Sequence, residues 1–571
     1  MSLKQQCVTF FVVSLTLCGL YYFVYLKETY QEMAWDIHRS YLRGELHTFG
    51  AEKTTLNVVR SHVTSYTDVT FSSGISHMDF FNRMYKMLLN DSDISMCKRP
   101  KELSSGLFSN IHDVRINRPV GYVTFTITMF DVNNQTKMYG GDVVLVWAEF
   151  KSHVDETSKQ CIAGKVIDNE NGAYTATVDM VWSGETNIYV KIASKFQNAC
   201  RRARAIVMYG DSVYAIATPH NVQMKFRNRN ITEKTHCSAS KAIYGFNKLC
   251  NLTKENYNMS FYCGRPKNIN LDCEDATLVS AISSFPAGQN KNGIILLPLQ
   301  EKLHQSVSIN FESKLFQTGV PPCLGRNPSE TWTETPPTGL GVNDGWKLLR
   351  CSHEQLRSPE IIRKCLSGKY IFFQGDSTVR QYFETLVRLG NFTSSIQKKL
   401  NFLLFESKEN NLMMRWHIHE FPYHCGTSVS SCVADSVKIR LEELANDITI
   451  TPKREVVVLL TYNAHLQNYH PDVFRSRIRN LVNPIKLLKF MRPNTKILFK
   501  GPHPFTYDSK WFDIRTDLVY RDILLQELEP VLEHVIYLDT FSIGVAYNNN
   551  ELHPHGGMLR GEIDQFLAYF C

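Results

Sequence analysis

Gly375-Asp376-Ser377 stands between an apolar run at residues 369–374 (KYIFFQ) and a helical periodicity over residues 378–389. A serine there suits nucleophilic chemistry. Gly375 permits a sharp turn, and Ser377 opens a helix. Free backbone N–H groups and the helix dipole at that end favour a developing oxyanion. Asp376 either caps the helix or orders the turn. A capped strand-to-helix turn is also ordinary structure, so the serine needs a base. Asn550-Glu551-Leu552-His553-Pro554-His555, in the last loop before a C-terminal helix, offers His553 as that base.

Other residues weigh less. Arg380 follows the serine by three positions and is a candidate substrate contact. Trp416-His417-Ile418-His419 puts two histidines on one face of a strand, with His424 nearby. A metal site needs three or four ligands with carboxylate or thiolate help, so no metal is expected. Trp416, His417 and Tyr423 read better as a sugar- or acyl-binding wall. His465 and His503 also follow strand ends. No phosphate-binding loop or dinucleotide fingerprint is present, so no tightly bound cofactor is expected.

The elements that must position these residues alternate. Apolar strands are predicted at 369–374, 413–418, 455–461, 495–500 and 533–539. Helices are predicted at 378–389, 436–444, 473–490, 517–528 and 562–570. Such alternation predicts a mainly parallel α/β/α sheet over residues 345–571, with sites at the carboxyl ends of its strands. Ahead of it, short β-branched and aromatic stretches at 122–130, 142–150, 172–180 and 187–192 predict an antiparallel sandwich of immunoglobulin or filamin-like type. Five cysteines over 197–275 suggest a disulfide-stapled extension, so residues 96–275 form one unit. Residues 276–344, rich in Pro, Gly and Thr toward their end, read as a linker.

The 571 residues imply several domains, and 43% hydrophobic with 21% charged residues excludes wholesale disorder. The net charge of +8 is not concentrated in any basic run, so no nucleic-acid partner is expected. Residues 7–26 carry no charge over twenty positions. They predict a signal anchor behind a short cytoplasmic tail (1–6), with a cleaved signal peptide as the alternative and a stem at 27–95. Six N-x-S/T triplets, at Asn90, Asn134, Asn230, Asn251, Asn258 and Asn391, agree with translocation. Of fifteen cysteines, thirteen lie outside the apolar run and none forms a C-x-x-C pair. Disulfides in an oxidising compartment fit better than zinc.

Ser-before-His order with the base in the final loop resembles SGNH/GDSL hydrolases. That resemblance implies oxyanion donors from the Ser377 N–H, a glycine N–H and an asparagine side chain. Gly390, after the following helix, and Asn463, at the end of the run EVVVLLT, are the candidates. GWKLLRC, then GKYIFFQGDSTVRQYFETL, then the histidine loop and the terminal FC look like a PC-esterase domain. With the β-rich, sequon-rich half before it, the chain resembles the NXPE family (neurexophilin and PC-esterase domain proteins). The resemblance implies acyl transfer, above all of acetyl, to or from a glycan such as sialic acid, in the Golgi lumen. It also implies acetyl-CoA or another acyl donor as co-substrate. One position departs: the PC-esterase pattern D-x-x-H reads Asn550-Glu551-Leu552-His553 here. Asn550 lacks the charge that would stabilise an imidazolium, and Glu551 is the alternative orienting group. The alternative function is a non-catalytic, secreted or membrane-held glycoprotein whose sandwich binds a cell-surface partner.

Overall fold

The computed structural model describes residues 102–571 apart from 151–159, 198, 201–220, 240, 242, 244, 257–259, 283–300, 312–318, 400–401, 420–436, 449, 451–453, 468–469 and 506–512. Seven strands come first: β1 (Asn110–Asn117), β2 (Tyr122–Thr128), β3 (Val143–Phe150), β4 (Gln160–Ala163), β5 (Lys165–Asp168), β6 (Ala173–Asp179) and β7 (Gly184–Ser194). β8 (Asn221–Asn228), β9 (Ile231–Ser238), β10 (Leu249–Asn251), β11 (Tyr262–Gly264) and β12 (Ala276–Ile282) form a separate five-stranded sheet. Cys237–Cys263 and Cys250–Cys273 staple it around its own small core, as suits a sheet too small to bury much apolar surface.

The stretch expected to be a linker holds β12, β13 (Glu301–Lys302), β14 (Val307–Phe311), helix α1 (Glu330–Thr333) and β15 (Gly339–Val342), and β16 (Gly345–Leu348) follows at once. β13 to β16 join β3, β4 and β7 in one seven-stranded sheet. Glycine is required in β15 for close approach. A Cβ at Gly339 would meet the Trp346 indole, and one at Gly341 would meet the Cys161 thiol. Pro- and Gly-rich composition therefore marks tight packing here rather than a tether.

This sheet packs on β1-β2-β6-β5. Val144, Val146, Ala148, Val190 and Ile192 meet Val123, Phe125, Ile127, Tyr174 and Val178 in the sandwich core. The intervening residues Val143, Leu145, Trp147, Cys161, Ala163 and Ala193 point the other way, into the core of the C-terminal half. Burial of both faces explains why β3 reads as a continuous apolar run.

The C-terminal half holds α2 (Pro359–Leu366), β17 (Lys369–Gly375), α3 (Ser377–Leu389), β18 (Gln397–Lys399), β19 (Phe402–Ser407), β20 (Leu412–Ile418), α4 (Val437–Asn446) and β21 (Glu455–Leu460). It continues with α5 (Pro471–Arg479), α6 (Val482–Met491), β22 (Lys496–Lys500), α7 (Ile514–Glu527), β23 (Val535–Leu538), α8 (Thr540–Ala546) and α9 (Gly556–Leu567). The sheet order is β18-β19-β20-β17-β21-β22-β23. β20, β17, β21, β22 and β23 are parallel, and β19 and then β18 extend one edge antiparallel. Apolar clusters cover both faces. Cys365–Cys571 ties α2 to the chain terminus, and Cys323–Cys351 clips the entry to the sheet.

The expected fold class is corrected on its membrane anchor. Among the described residues no helix is long and apolar enough to cross a membrane. The longest, α7, has 14 residues, against about 20 needed to span a bilayer. Residues 7–26 and the stem at 27–95 lie outside the described residues.

Candidate active site

Within the parallel set, the first strand in sequence, β17, lies between the second, β20, and the third, β21. The chain thus passes from β17 to β20 on one side and then crosses to β21 on the other, and such a reversal opens a crevice at the carboxyl ends of these strands. Gly375-Asp376-Ser377 ends β17 at that crevice, and Asn463 follows β21 beside it.

Local chemistry builds the serine's turn. Asp376 is the N-cap of α3, and its Oδ1 accepts from Thr378 N at 2.9 Å and Thr378 Oγ1 at 2.6 Å. Its Oδ2 accepts from Ala464 N at 3.0 Å, which locks the β17 turn to the loop after β21. Asp376 is fully buried. Burial alone would raise its carboxyl, but His465, His419, the Thr378 hydroxyl and Lys500 outweigh that and hold it well below the usual carboxylate range. A Cβ at Gly375 would meet Thr461 and Val379, so glycine lets the strand end close against its neighbours. Ser377 is left half-buried, with the N–H of a helix's first residue beside it.

His553 comes from the far end of the chain. Its Nε2 lies 2.6 Å from Ser377 Oγ. The flanking carbonyls are both anchored. His503 Nε2 donates to Leu552 O at 3.1 Å, and Gln381 Nε2 donates to Pro554 O at 3.0 Å. Lys500 Nζ lies 3.0 Å from His503 Nδ1. An ammonium only donates and a carbonyl only accepts, so His503 is the neutral tautomer protonated on Nε2. Burial, then the Lys500 charge, push its pKa well down in agreement. Beneath it, Lys500 lies 3.6 Å from the buried Glu562 carboxylate.

Asn550 does something other than orient the imidazole. Its Oδ1 accepts from Lys191 Nζ of the sandwich at 2.8 Å. Glu551 lies at the surface, its carboxylate 3.3 Å from His555 Nδ1. Among the described residues no carboxylate is paired with His553. The centre is therefore a serine–histidine dyad, whose imidazole is fixed through its own backbone.

The other candidates divide. Asn463 is buried, and its Oδ1 accepts from Gln467 Nε2 at 3.2 Å. With the oxygen engaged, the Nδ2 donors are the end a ligand could use. Gly390 is the C-cap of α3. Thirteen residues at 1.5 Å each put it about 20 Å from Ser377, too far for an oxyanion donor. Arg380 lies one turn along α3, 5.8 Å from the Trp416 ring centroid and 3.8 Å from Glu384. Trp416 and His417 point to opposite faces of β20, because strand side chains alternate. Trp416 is in the core against α3, while the His417 ring lies between Phe372 and Phe402. They cannot form one wall. His419 does reach the site, its ring 4.7 Å from that of His465. Tyr423 and His424 lie outside the described residues. Of the sequons, Asn134, Asn230, Asn251 and Asn391 are exposed, and Asn90 and Asn258 lie outside the described residues.

The residues missed are Gln381, Lys191 and the run Asn548-Asn549. Gln381 had a readable signal: four positions after Ser377, it shares the serine's face of α3. Lys191 had none, because its partners are more than 350 positions away.

Fold and site define a doubly wound α/β unit with a serine–histidine pair at its switch point. Residues 346–571 match the family model described as NXPE family member 4-like, C-terminal domain. Over this domain the chain is similar to the NXPE family.

Proposed function

We propose that the chain is a serine-dependent esterase or O-acyltransferase acting on a carbohydrate, with acetyl as the acyl group. The observation that carries this is the 2.6 Å contact between Ser377 Oγ and His553 Nε2 at the carboxyl end of the sheet. His553 takes the hydroxyl proton as Ser377 Oγ attacks the ester carbonyl. The oxyanion faces the Ser377 N–H and the Asn463 Nδ2 donors. Collapse expels the leaving group with the proton from His553 and leaves an acyl-serine. An acceptor hydroxyl, or water, gives its proton to His553 and attacks the acyl carbon; the acyl–Oγ bond breaks, and His553 returns the proton to Ser377 Oγ. Acetyl-CoA or another acyl donor is the co-substrate if transfer prevails. Four disulfides among the described residues support an oxidising, secretory compartment such as the Golgi lumen.

A second reading, a non-catalytic glycoprotein that binds a partner, draws on the lack of a carboxylate paired with His553 among the described residues. Fluorophosphonate labelling followed by peptide mapping separates the two. The enzyme reading expects a modified Ser377 peptide, lost in Ser377→Ala and strongly slowed in His553→Ala. A folded chain that leaves Ser377 unlabelled, and whose Ser377→Ala form acetylates cellular glycans like wild type, overturns it.

A further inference from the structure

We infer that Lys191 of the β-sandwich is a positioning residue for His553, so that strand β7 is a working part of the Ser377–His553 site. This role rests on the serine–histidine reading above. Lys191 lies between Val190 and Ile192, which fill the sandwich core, so its own side chain projects from the opposite face toward the C-terminal half. There it is buried, with Nζ 2.7 Å from Asn548 Oδ1 and 2.8 Å from Asn550 Oδ1. The asparagine between them is also held, since Asn549 Nδ2 donates to Pro504 O at 2.9 Å and to Glu551 O at 2.7 Å. Three consecutive side chains thus fasten the segment that leads into His553.

The arrangement is costly. Burial and the charge of Lys302, its partner across the β13–β7 pair, push the Lys191 ammonium down to about 8. A buried ammonium without a carboxylate is unfavourable, and an apolar side chain of similar length would fill the space at less cost. What only the ammonium supplies is a donor pair that gathers two amide oxygens from a loop otherwise free to vary. Serine–histidine geometry is sensitive to displacements of about 1 Å, which can cost 10²-fold in rate. The loop is held from three sides: His503 and Gln381 on the sheet and α3, Asn549 on the Pro504 turn, and Lys191 on the sandwich. The working unit therefore extends beyond residues 346–571.

The test uses the full chain. Lys191→Met removes the donors and keeps the bulk. It should lower kcat for an aryl acetate by about 10- to 100-fold with KM unchanged. Hydrogen exchange should rise in residues 547–555 and stay unchanged elsewhere, in the wild-type and the Ser377→Ala backgrounds alike. Asn550→Leu, on an exposed part of the loop, should give the same pattern if Lys191→Met misfolds. The Lys191→Met, Asn550→Leu double variant should be little worse than either single change. Unchanged exchange at 547–555, with normal turnover, overturns the positioning role alone. Absence of Ser377-dependent turnover in the wild-type chain overturns the catalytic reading, and this role with it, whatever exchange shows.

Discussion

The turn that carries Ser377 and the loop that carries His553 meet at one hydrogen bond but are built in opposite ways. The turn is held mainly from within: Asp376 caps α3 through Thr378, two positions on, and takes one further bond from Ala464. The loop is held from without, by His503 and Gln381 on its backbone and by Lys191 on its side chains. A nucleophile that needs a fixed backbone N–H gains from a local cap. A base that must meet it from the far end of the chain has no local element to rely on.

The largest expected effect tests whether the two regions act as one. Ser377→Ala and His553→Ala should each lower acyl turnover by about 10⁴-fold or more, and the double variant should be little worse. Additive losses would separate the regions. Next comes the turn itself. Asp376→Asn should destabilise the chain by about 2–4 kcal/mol at pH 7, measured by urea unfolding, because buried donors lose a charged acceptor. The carboxyl is held below its unfolded value, so its contribution is full above pH ~4 and is lost as pH falls below that. The gap between variant and wild type should therefore narrow at pH 3. A gap that widens at low pH would contradict the assignment.

On the loop side, Gln381→Ala removes one of the two carbonyl anchors. It should reduce kcat about tenfold, with a melting temperature close to wild type. A purely thermal effect would mean that the Pro554 bond serves folding alone. Smallest is Glu551→Gln. Its carboxylate lies at the surface near His555, so turnover should stay within about twofold. A large loss would make Glu551 the orienting group of His553 and undo the contrast between the regions.

Several features were legible because they depend on near neighbours. The apolar run before Ser377, the glycine at its end and the 3.6-residue periodicity after it specify β17, the turn and α3. The alternation in β2 and β6 likewise reflects one buried face. Gly390 reads as an oxyanion candidate by sequence but lies out of reach, because periodicity marks a helix without saying that its two ends are about 20 Å apart. Trp416 and His417 were paired by adjacency, although the period of a strand sends neighbours to opposite faces. Residues 276–344 read as a linker by sequence because glycine and proline weigh toward loops in any local count. Only the approach of Trp346 and Cys161 shows why Gly339 and Gly341 must be glycine.

Immediate neighbours along the chain mark the residues that could do chemistry here: a serine at a capped turn and a histidine in the last loop. Tertiary structure alone decided what Asn550 does. Position 550 was read against His553, three residues away, but side chains are placed by what surrounds them. Here the sandwich brings a buried ammonium to that amide oxygen, and His553 is held through its flanking carbonyls instead. A local pattern carries no record of a partner more than 350 positions distant, because that contact exists only once both halves have packed on a common core.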